Sequence, residues 1–341
     1  MKKNYVRLGL VLLLTLVFLF FFFRSVEWKK VFGYLTDVNL KFFILLIVLL
    51  PVHLVTRSIR WRYLLMHEKR DVKFFNMFAA NSIGFTVTLI FPGRLGELVK
   101  PLYLARKEKM SKGFVLGTVV VERIFDIFTM CSLLGLFILT KPFYSSYFQA
   151  NEEAYVNLQM YGIIGVAFAT FFLAVILSLY FFKEKTLSII AFFLKPFPHK
   201  LSQRILRLSK EFIQGLKFFH SVRNLLMYIF LSFVVWLGIV FYYWMLFFTY
   251  KISISYFLLF PFVFLTMVGA SIPLPGMVGG YHYFCKLALT SIYDLDLNLA
   301  VSMTIVIHAI QVVVTCLIGY AILWKERISL FQIKKIGEDV E

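Results

Sequence analysis

The sequence predicts an all-α polytopic membrane protein with about six transmembrane helices and two re-entrant helical hairpins in an inverted repeat, both termini being cytoplasmic. Of its 341 residues 60% are hydrophobic and 19% are aromatic, and the apolar residues fall in long runs. These runs are long enough to cross a bilayer, and this apolar fraction is higher than that of a soluble domain. We expect a single transmembrane domain over residues 1–341, with a first inverted half over 1–140 and a second over 157–324.

The formal net charge of +18 comes mainly from basic residues in short segments between the apolar runs. Basic loops face the cytoplasm, where the anionic leaflet attracts them. No basic stripe lies on a soluble domain, so nucleic acid is not an expected partner. The three cysteines lie inside apolar runs, and neither they nor the six histidines show metal-ligand spacing. We therefore expect no metal site and no cofactor.

Six apolar runs are predicted to be ordinary spans. The first, 8–23, is interpreted as uncleaved because no small-residue cleavage site follows it. The second, 40–56, is followed by Arg57, Arg60 and Trp61. We interpret this cluster first as an aromatic and basic anchor at the cytoplasmic face, and alternatively as a contact for a lipid phosphate. The later spans are predicted over 113–139, 161–182, 225–249 and 297–324.

Two further apolar regions, 74–105 and 256–293, contain Pro-Gly motifs that break a helix readily. The motif residues are Pro92, Gly93 and Gly96 in the first region and Pro275, Gly276, Gly279 and Gly280 in the second. A shift of 183 positions superposes the two motifs. If both regions are re-entrant hairpins, the inside segments hold 28 Lys and Arg and the outside segments hold 7. This split favours hairpins over the alternative, kinks in ordinary spans.

A charged constellation lies on the predicted span 113–139. Glu122 and Asp126 are spaced i, i+4, and Arg123 and Asp126 are spaced i, i+3, so the three share one helix face. A structural ion cluster that locks the first hairpin to this span is one interpretation. The other is a cationic pocket suited to a phosphate, because helix amino termini add partial positive charge. The pocket residues would be Arg94, Lys100 and Arg123, balanced when empty by Glu97, Glu122 and Asp126.

Four motifs occur in a fairly specific order along nearly the whole chain. They are Arg60-Trp61 followed by Leu64-Leu65, Pro92-x-Arg94-x-Gly96-Glu97, Glu122-Arg123-x-x-Asp126, and Pro275-Gly276-x-x-Gly279. Together they resemble the flippase-like integral membrane family that includes the transmembrane region of lysylphosphatidylglycerol synthases. The resemblance implies a multi-pass protein of the cell inner (cytoplasmic) membrane that moves a lipid, or helps to move it, between leaflets.

The second hairpin departs from the pattern of that family, which is usually Pro-Gly-Gly-x-Gly-x-x-Glu. Met277 replaces a glycine here, and His282 stands at the position of the glutamate. If that glutamate titrates in relatives, His282 would titrate here. On the last span, His308 and Gln311 share a face. Two interpretations stay open for these residues: hydrogen bonding in the core and contact with the substrate.

These patterns predict a flippase-like transporter for an anionic phospholipid or a polyprenyl-phosphate lipid. The alternatives are a membrane-embedded enzyme acting on lipid headgroups and a non-transporting scaffold for an envelope complex. We expect no enzyme, because no nucleophile lies beside a base, no nucleotide-binding loop occurs, and only a short tail follows Trp324. Segment 183–224 is predicted to lie on the cytoplasmic leaflet as an amphipathic helix. A homodimer or an envelope-enzyme partner stays open.

Overall fold

The computed structural model describes residues 2–66, 68–139, 182–196 and 221–329, with a few single positions between and beyond these ranges. The described residues form helices and no strand, so the all-helical prediction is confirmed. In chain order the helices are α1 (Lys2–Phe23), α2 (Trp28–Thr36), α3 (Leu40–Leu65), α4 (Phe74–Ile90), α5 (Gly96–Glu108), α6 (Lys112–Leu139), α7 (Lys183–Leu194), α8 (Val222–Thr249), α9 (Phe260–Ser271), α10 (Gly280–Tyr293) and α11 (Leu297–Lys325).

Within the described part of the chain, α3, α8 and α11 are long and apolar enough to cross a membrane alone. A fourth span results if Gly9–Phe23 and α2, which meet at 79°, are taken together. These helices support a multi-pass membrane protein. The predicted span 161–182 and most of the predicted amphipathic segment 183–224 lie outside the described residues, and α7 covers the start of that segment.

The first Pro-Gly motif separates α4 from α5 by a short 3-10 turn, Pro92–Arg94. Gly93 has a φ of +78°, a left-handed conformation that glycine adopts without a steric penalty. A Cβ on Gly96 would overlap the carbonyl oxygen of Gly84, and Thr88 also touches Gly96. A Cβ on Gly84 would in turn lie 2.7 Å from the Cβ of Lys100. The two helices therefore run in opposite directions and pack backbone against backbone, as small residues allow.

The second Pro-Gly motif repeats this arrangement between α9 and α10, with a 3-10 turn at Pro275–Met277. Gly276 has a φ of +59° and Gly279 a φ of +93°. A Cβ on Gly269 would lie 2.6 Å from the carbonyl oxygen of Gly280, so these two helices also meet at glycines. Both motifs thus break a helix as predicted. We call the two units the first and the second broken helix pair.

The turns of the two broken helix pairs lie against each other. Arg94 in the first turn donates from Nη2 to the carbonyl oxygen of Ala270 on α9, at 3.3 Å. A Cβ on Gly276 in the second turn would lie 3.0 Å from the carbonyl oxygen of Leu89. Helix α11 packs along α4, where Thr86 donates to the Thr315 carbonyl oxygen at 3.0 Å. This packing places the first turn, which contains Arg94, beside the second turn between α9 and α10.

Five basic residues that were counted in the predicted inside or outside segments lie within the helical assembly. Arg57 and Arg60 are buried on α3, Lys100 is buried on α5, and Arg94 lies at the contact between the two turns. Lys286 is buried on α10 and donates to the carbonyl oxygens of Phe21 and Phe22 at the end of α1, at 2.5 and 2.8 Å. Without these five the predicted inside segments hold 24 Lys and Arg and the outside segments hold 6. The charge bias therefore persists after the correction.

Candidate functional site

The buried half of the charged cluster is built by α3 and α6. Arg60 donates from Nη1 to Asp126 Oδ1 at 2.7 Å, and its Nη2 lies 3.4 Å from Glu122 Oε1. The spacing of four residues on α6 places both carboxylates on the side that faces α3, as the sequence predicts. Trp236 of α8 also donates to Asp126 Oδ1, at 2.9 Å. Arg60 is fully buried, so its charge is compensated by protein carboxylates alone.

Lys100 ties the first broken helix pair to this buried half. Its ammonium group forms an ion pair with Glu122 and lies 4.1 Å from the ring centre of Trp61. The indole of Trp61 donates to Thr118 on α6 at 2.9 Å. Ion pairing and a cation–π contact both stabilise a desolvated ammonium. For these residues the contacts fit the interpretation as a structural ion cluster.

A second, more open half of the cluster lies next to it. Arg123 Nη1 is 3.3 Å from Asp126 Oδ2 and 3.6 Å from Glu97 Oε1, and Arg57 Nη1 is 3.8 Å from Asp126 Oδ2. The side chains of Arg123 and Glu97 are 31% and 27% exposed, whereas that of Arg60 is 0% exposed. Arg94 forms no ion pair with any carboxylate in the described part of the chain. This half therefore has charge that a ligand can reach.

A cavity of about 470 Å³ opens onto this second half. Its charged lining consists of Arg57, Arg94, Glu97, Arg123 and Asp126. Most of the remaining lining is apolar and comes from both broken helix pairs and from α3, α6 and α8: Leu50, Leu54, Phe85, Leu89, Ile127, Met130, Ile239, Met267 and Met277. The cavity therefore joins a charged end to an apolar wall, which is the polarity of a lipid headgroup with its attached chain.

The charges around this cavity do not balance. The cluster contains five cations (Arg57, Arg60, Arg94, Lys100 and Arg123) and three carboxylates (Glu97, Glu122 and Asp126), which leaves a net formal charge of +2. An uncompensated charge is unfavourable in a poorly hydrated site. An anion in the cavity would remove this excess, and arginine binds phosphate oxygens in a well-defined geometry.

The sequence profile of the lysylphosphatidylglycerol synthase TM region matches residues 6–319. The chain belongs to this family. It is also similar to a UPF0104 membrane protein of Methanocaldococcus jannaschii, with 22% identity over 329 residues, covering 94% of this chain and 95% of the relative. No solved structure matches it.

In this member of the lysylphosphatidylglycerol synthase TM region family, the predicted charged residues divide into two groups. Arg94, Glu97, Arg123 and Asp126 line the cavity. Arg60, Lys100 and Glu122 lie behind that lining in buried ion pairs. The interpretation of Arg60 and Trp61 as an anchor at the headgroups is wrong, because α3 continues to Leu65 and other helices cover both side chains.

The two predicted histidines lie outside the cavity lining of this family member. His308 Nε2 is 3.0 Å from the carbonyl oxygen of Gly276 and supports the second turn. Its ring centre is 4.5 Å from that of His282, which also packs against Phe22 of α1. Gln311, which shares the helix face of His308, does line the cavity and donates to Tyr243 at 3.3 Å.

The predicted backbone elements of the second turn contact protein and are not part of the cavity lining. Gly279 faces α1, where a Cβ would lie 3.1 Å from the carbonyl oxygen of Thr15. Gly280 faces Gly269 on α9, and Gly276 faces Leu89 on α4. Their lack of a side chain therefore serves close helix packing. Pro92 and Pro275 begin the two turns, and Gly93 and Gly96 serve the first turn and its packing in the same way.

Sequence reasoning missed several residues that line the cavity. Arg57 was interpreted first as an anchor and only alternatively as a contact for a lipid phosphate, and His53, Trp236, Tyr242 and Tyr243 were treated as ordinary span residues. The spacing of His53, Arg57 and Arg60 could have indicated a polar face on α3, because the three residues recur at helical spacing.

Proposed function

We propose that this chain is a flippase-like transporter that moves an anionic phospholipid or a polyprenyl-phosphate lipid between the leaflets of the cell membrane. The observation that carries the proposal is the cavity with Arg57, Arg94 and Arg123 in its lining and a net charge of +2 in the surrounding cluster. Membership of the lysylphosphatidylglycerol synthase TM region family supports a role that involves lipid.

The headgroup phosphate would lie among the cavity arginines, with the hydrocarbon chain along the apolar wall. A phosphodiester carries a single negative charge and two free oxygens, which suits guanidinium donors. A zwitterionic lipid adds a cation and would leave the excess positive charge in place. The site is therefore expected to prefer anionic headgroups. The chemistry required is binding and release, without bond cleavage, so the chain would act as a transporter and not as an enzyme.

The proposal includes six spans, two re-entrant hairpins and cytoplasmic termini. Each broken helix pair would enter the membrane and return to the side from which it came, in opposite orientations. The recurrence of a Pro-Gly turn with glycine packing in both pairs supports this. The bias of 24 to 6 basic residues supports the orientation. An impermeant thiol reagent should label Lys107→Cys and Lys251→Cys from opposite sides of the membrane, and labelling of both from one side would contradict the topology.

The function is tested by reconstitution of the purified protein into liposomes with a panel of fluorescent lipids. Phosphatidylglycerol, phosphatidic acid, phosphatidylcholine and polyprenyl phosphate would be compared, and an impermeant quencher would report the fraction in the outer leaflet over time. We expect protein-dependent movement of the anionic lipids and slower movement of phosphatidylcholine. Rates equal to those of protein-free liposomes for the whole panel would refute the proposal.

A further inference from the structure

His53 lines the cavity one helical turn before Arg57 and takes no part in the ion pairs. Arg57 donates from Nε to His53 Nε2 at 2.8 Å. A guanidinium group has no acceptor, so His53 Nε2 must be the acceptor of this bond. The imidazole is therefore neutral, and its proton is on Nδ1.

That Nδ1–H group is buried and has no hydrogen-bond partner in the described part of the chain. Buried donors are nearly always paired, because an unpaired one loses its bond to water and gains nothing in exchange. The hydroxyl of Tyr242, another lining residue, is buried and unpaired in the same way. Two residues of the cavity lining thus carry neutral hydrogen-bonding groups that no described residue satisfies.

The surroundings of His53 fit an oxyanion. Its partner Arg57 has Asp126 Oδ2 3.8 Å from Nη1, and Arg123 contacts the same carboxylate oxygen at 3.3 Å. Asp126 Oδ2 accepts no hydrogen bond from the residues that the structure describes, and its charged contacts are Arg57 and Arg123. A phosphate oxygen accepts more than one hydrogen bond, so an anion that enters beside Arg57 and Arg123 keeps acceptor capacity for a further donor.

We propose that His53 is a ligand-binding residue whose Nδ1–H donates to an oxygen of a phosphate or phosphate ester in the cavity. The inference rests on the proposed function, since it requires that the cavity binds an anion. Arg57 has two tasks in this arrangement: it attracts the anion, and it fixes the His53 tautomer so that the donor faces an acceptor of the ligand.

Two amide substitutions separate this role from a purely structural one. The side-chain nitrogen of asparagine occupies nearly the position of histidine Nδ1, whereas the end of the longer glutamine side chain reaches the position of Nε2. His53→Asn therefore keeps a donor for the ligand and loses the acceptor for Arg57. His53→Gln keeps the acceptor for Arg57 and loses the donor at the Nδ1 position. His53→Phe loses both groups.

The experiment measures binding of inorganic phosphate in detergent, and of phosphatidylglycerol in nanodiscs, to the full chain and its three variants. Phosphatidylcholine nanodiscs are the lipid control, and the melting temperature of each variant reports folding. We expect His53→Asn to bind phosphatidylglycerol within a few-fold of wild type, and His53→Gln and His53→Phe to bind it about tenfold more weakly. The measurement with inorganic phosphate shows whether the site binds the anion without a lipid chain.

The results distinguish a wrong role for His53 from a wrong function for the whole chain. If His53→Gln binds phosphatidylglycerol as tightly as wild type and His53→Asn does not bind it, the inference is overturned, and His53 serves to position Arg57. Equal binding by wild type and all three variants would overturn it as well. Absence of phosphate and phosphatidylglycerol binding in the wild type would overturn the proposed function, and the inference with it.

Discussion

Replacing Glu122 by glutamine should leave two buried cations without their shared carboxylate. Lys100 and Arg60 both contact Glu122, and the net formal charge of the cluster would rise from +2 to +3. For the Arg60 contact at 3.4 Å, the Coulomb energy is about 5 kcal/mol at an effective dielectric constant of about 20. Because the remaining charges stay buried, we expect the free energy of unfolding to fall by about 3–5 kcal/mol.

Reversible unfolding in mixed detergent micelles measures this change against two matched variants. Glu97→Gln removes a partly exposed carboxylate 3.6 Å from Arg123 and should cost about 1 kcal/mol or less. The double variant Lys100→Met/Glu122→Gln removes one charge of each sign and should recover most of the lost stability. Equal losses for Glu122→Gln and Glu97→Gln, or no recovery in the double variant, would refute the reasoning.

Two further predictions concern packing and pH. Gly96→Ala should destabilise the protein by about 2–3 kcal/mol, because its Cβ would overlap the Gly84 carbonyl oxygen; Gly238→Ala, with no atom within 4 Å of its Cβ, should be neutral in the same unfolding assay. Burial raises the pKa of Glu108, but Lys69 and two further hydrogen-bond donors outweigh it and lower the pKa below 4.5. The contribution of ionised Glu108 to the stability of the fold is therefore present above pH 4.5 and is lost as the pH falls below that value. Melting temperatures at pH 7 and in acid should show a smaller acid loss for Glu108→Gln, and an unchanged loss would contradict this role.

The sequence allowed prediction of the helix breaks and of the shared face on α6 because both depend on local chemistry. Adjacent proline and glycine favour a helix break, although single prolines such as Pro51 and Pro101 lie inside helices here. Residues spaced by three and four share a face in any helix. Glu122, Arg123 and Asp126 could therefore be grouped before any tertiary contact was known.

Residues whose partners are remote in the sequence were placed wrongly. Arg57 and Arg60 follow an apolar run, and hydropathy alone does not distinguish a charge at the headgroups from one covered by α6 and α8. Lys286 was counted with an outside segment, because its partners, two carbonyl oxygens at the end of α1, are more than 260 positions away. Backbone acceptors leave no trace in the side-chain pattern, so such contacts need the fold.

The rate of lipid movement by Arg94→Gln tests the central claim most directly. Arg94 lines the cavity and forms no ion pair in the described part of the chain, so its loss should weaken anion binding without exposing a buried carboxylate. Lys107→Gln is the matched control, since Lys107 pairs with Glu326 away from the cavity. In proteoliposomes we predict that Arg94→Gln slows phosphatidylglycerol movement by about tenfold or more and that Lys107→Gln keeps the wild-type rate. A wild-type rate for Arg94→Gln, or equal slowing of both variants, would contradict a cationic site for the lipid phosphate.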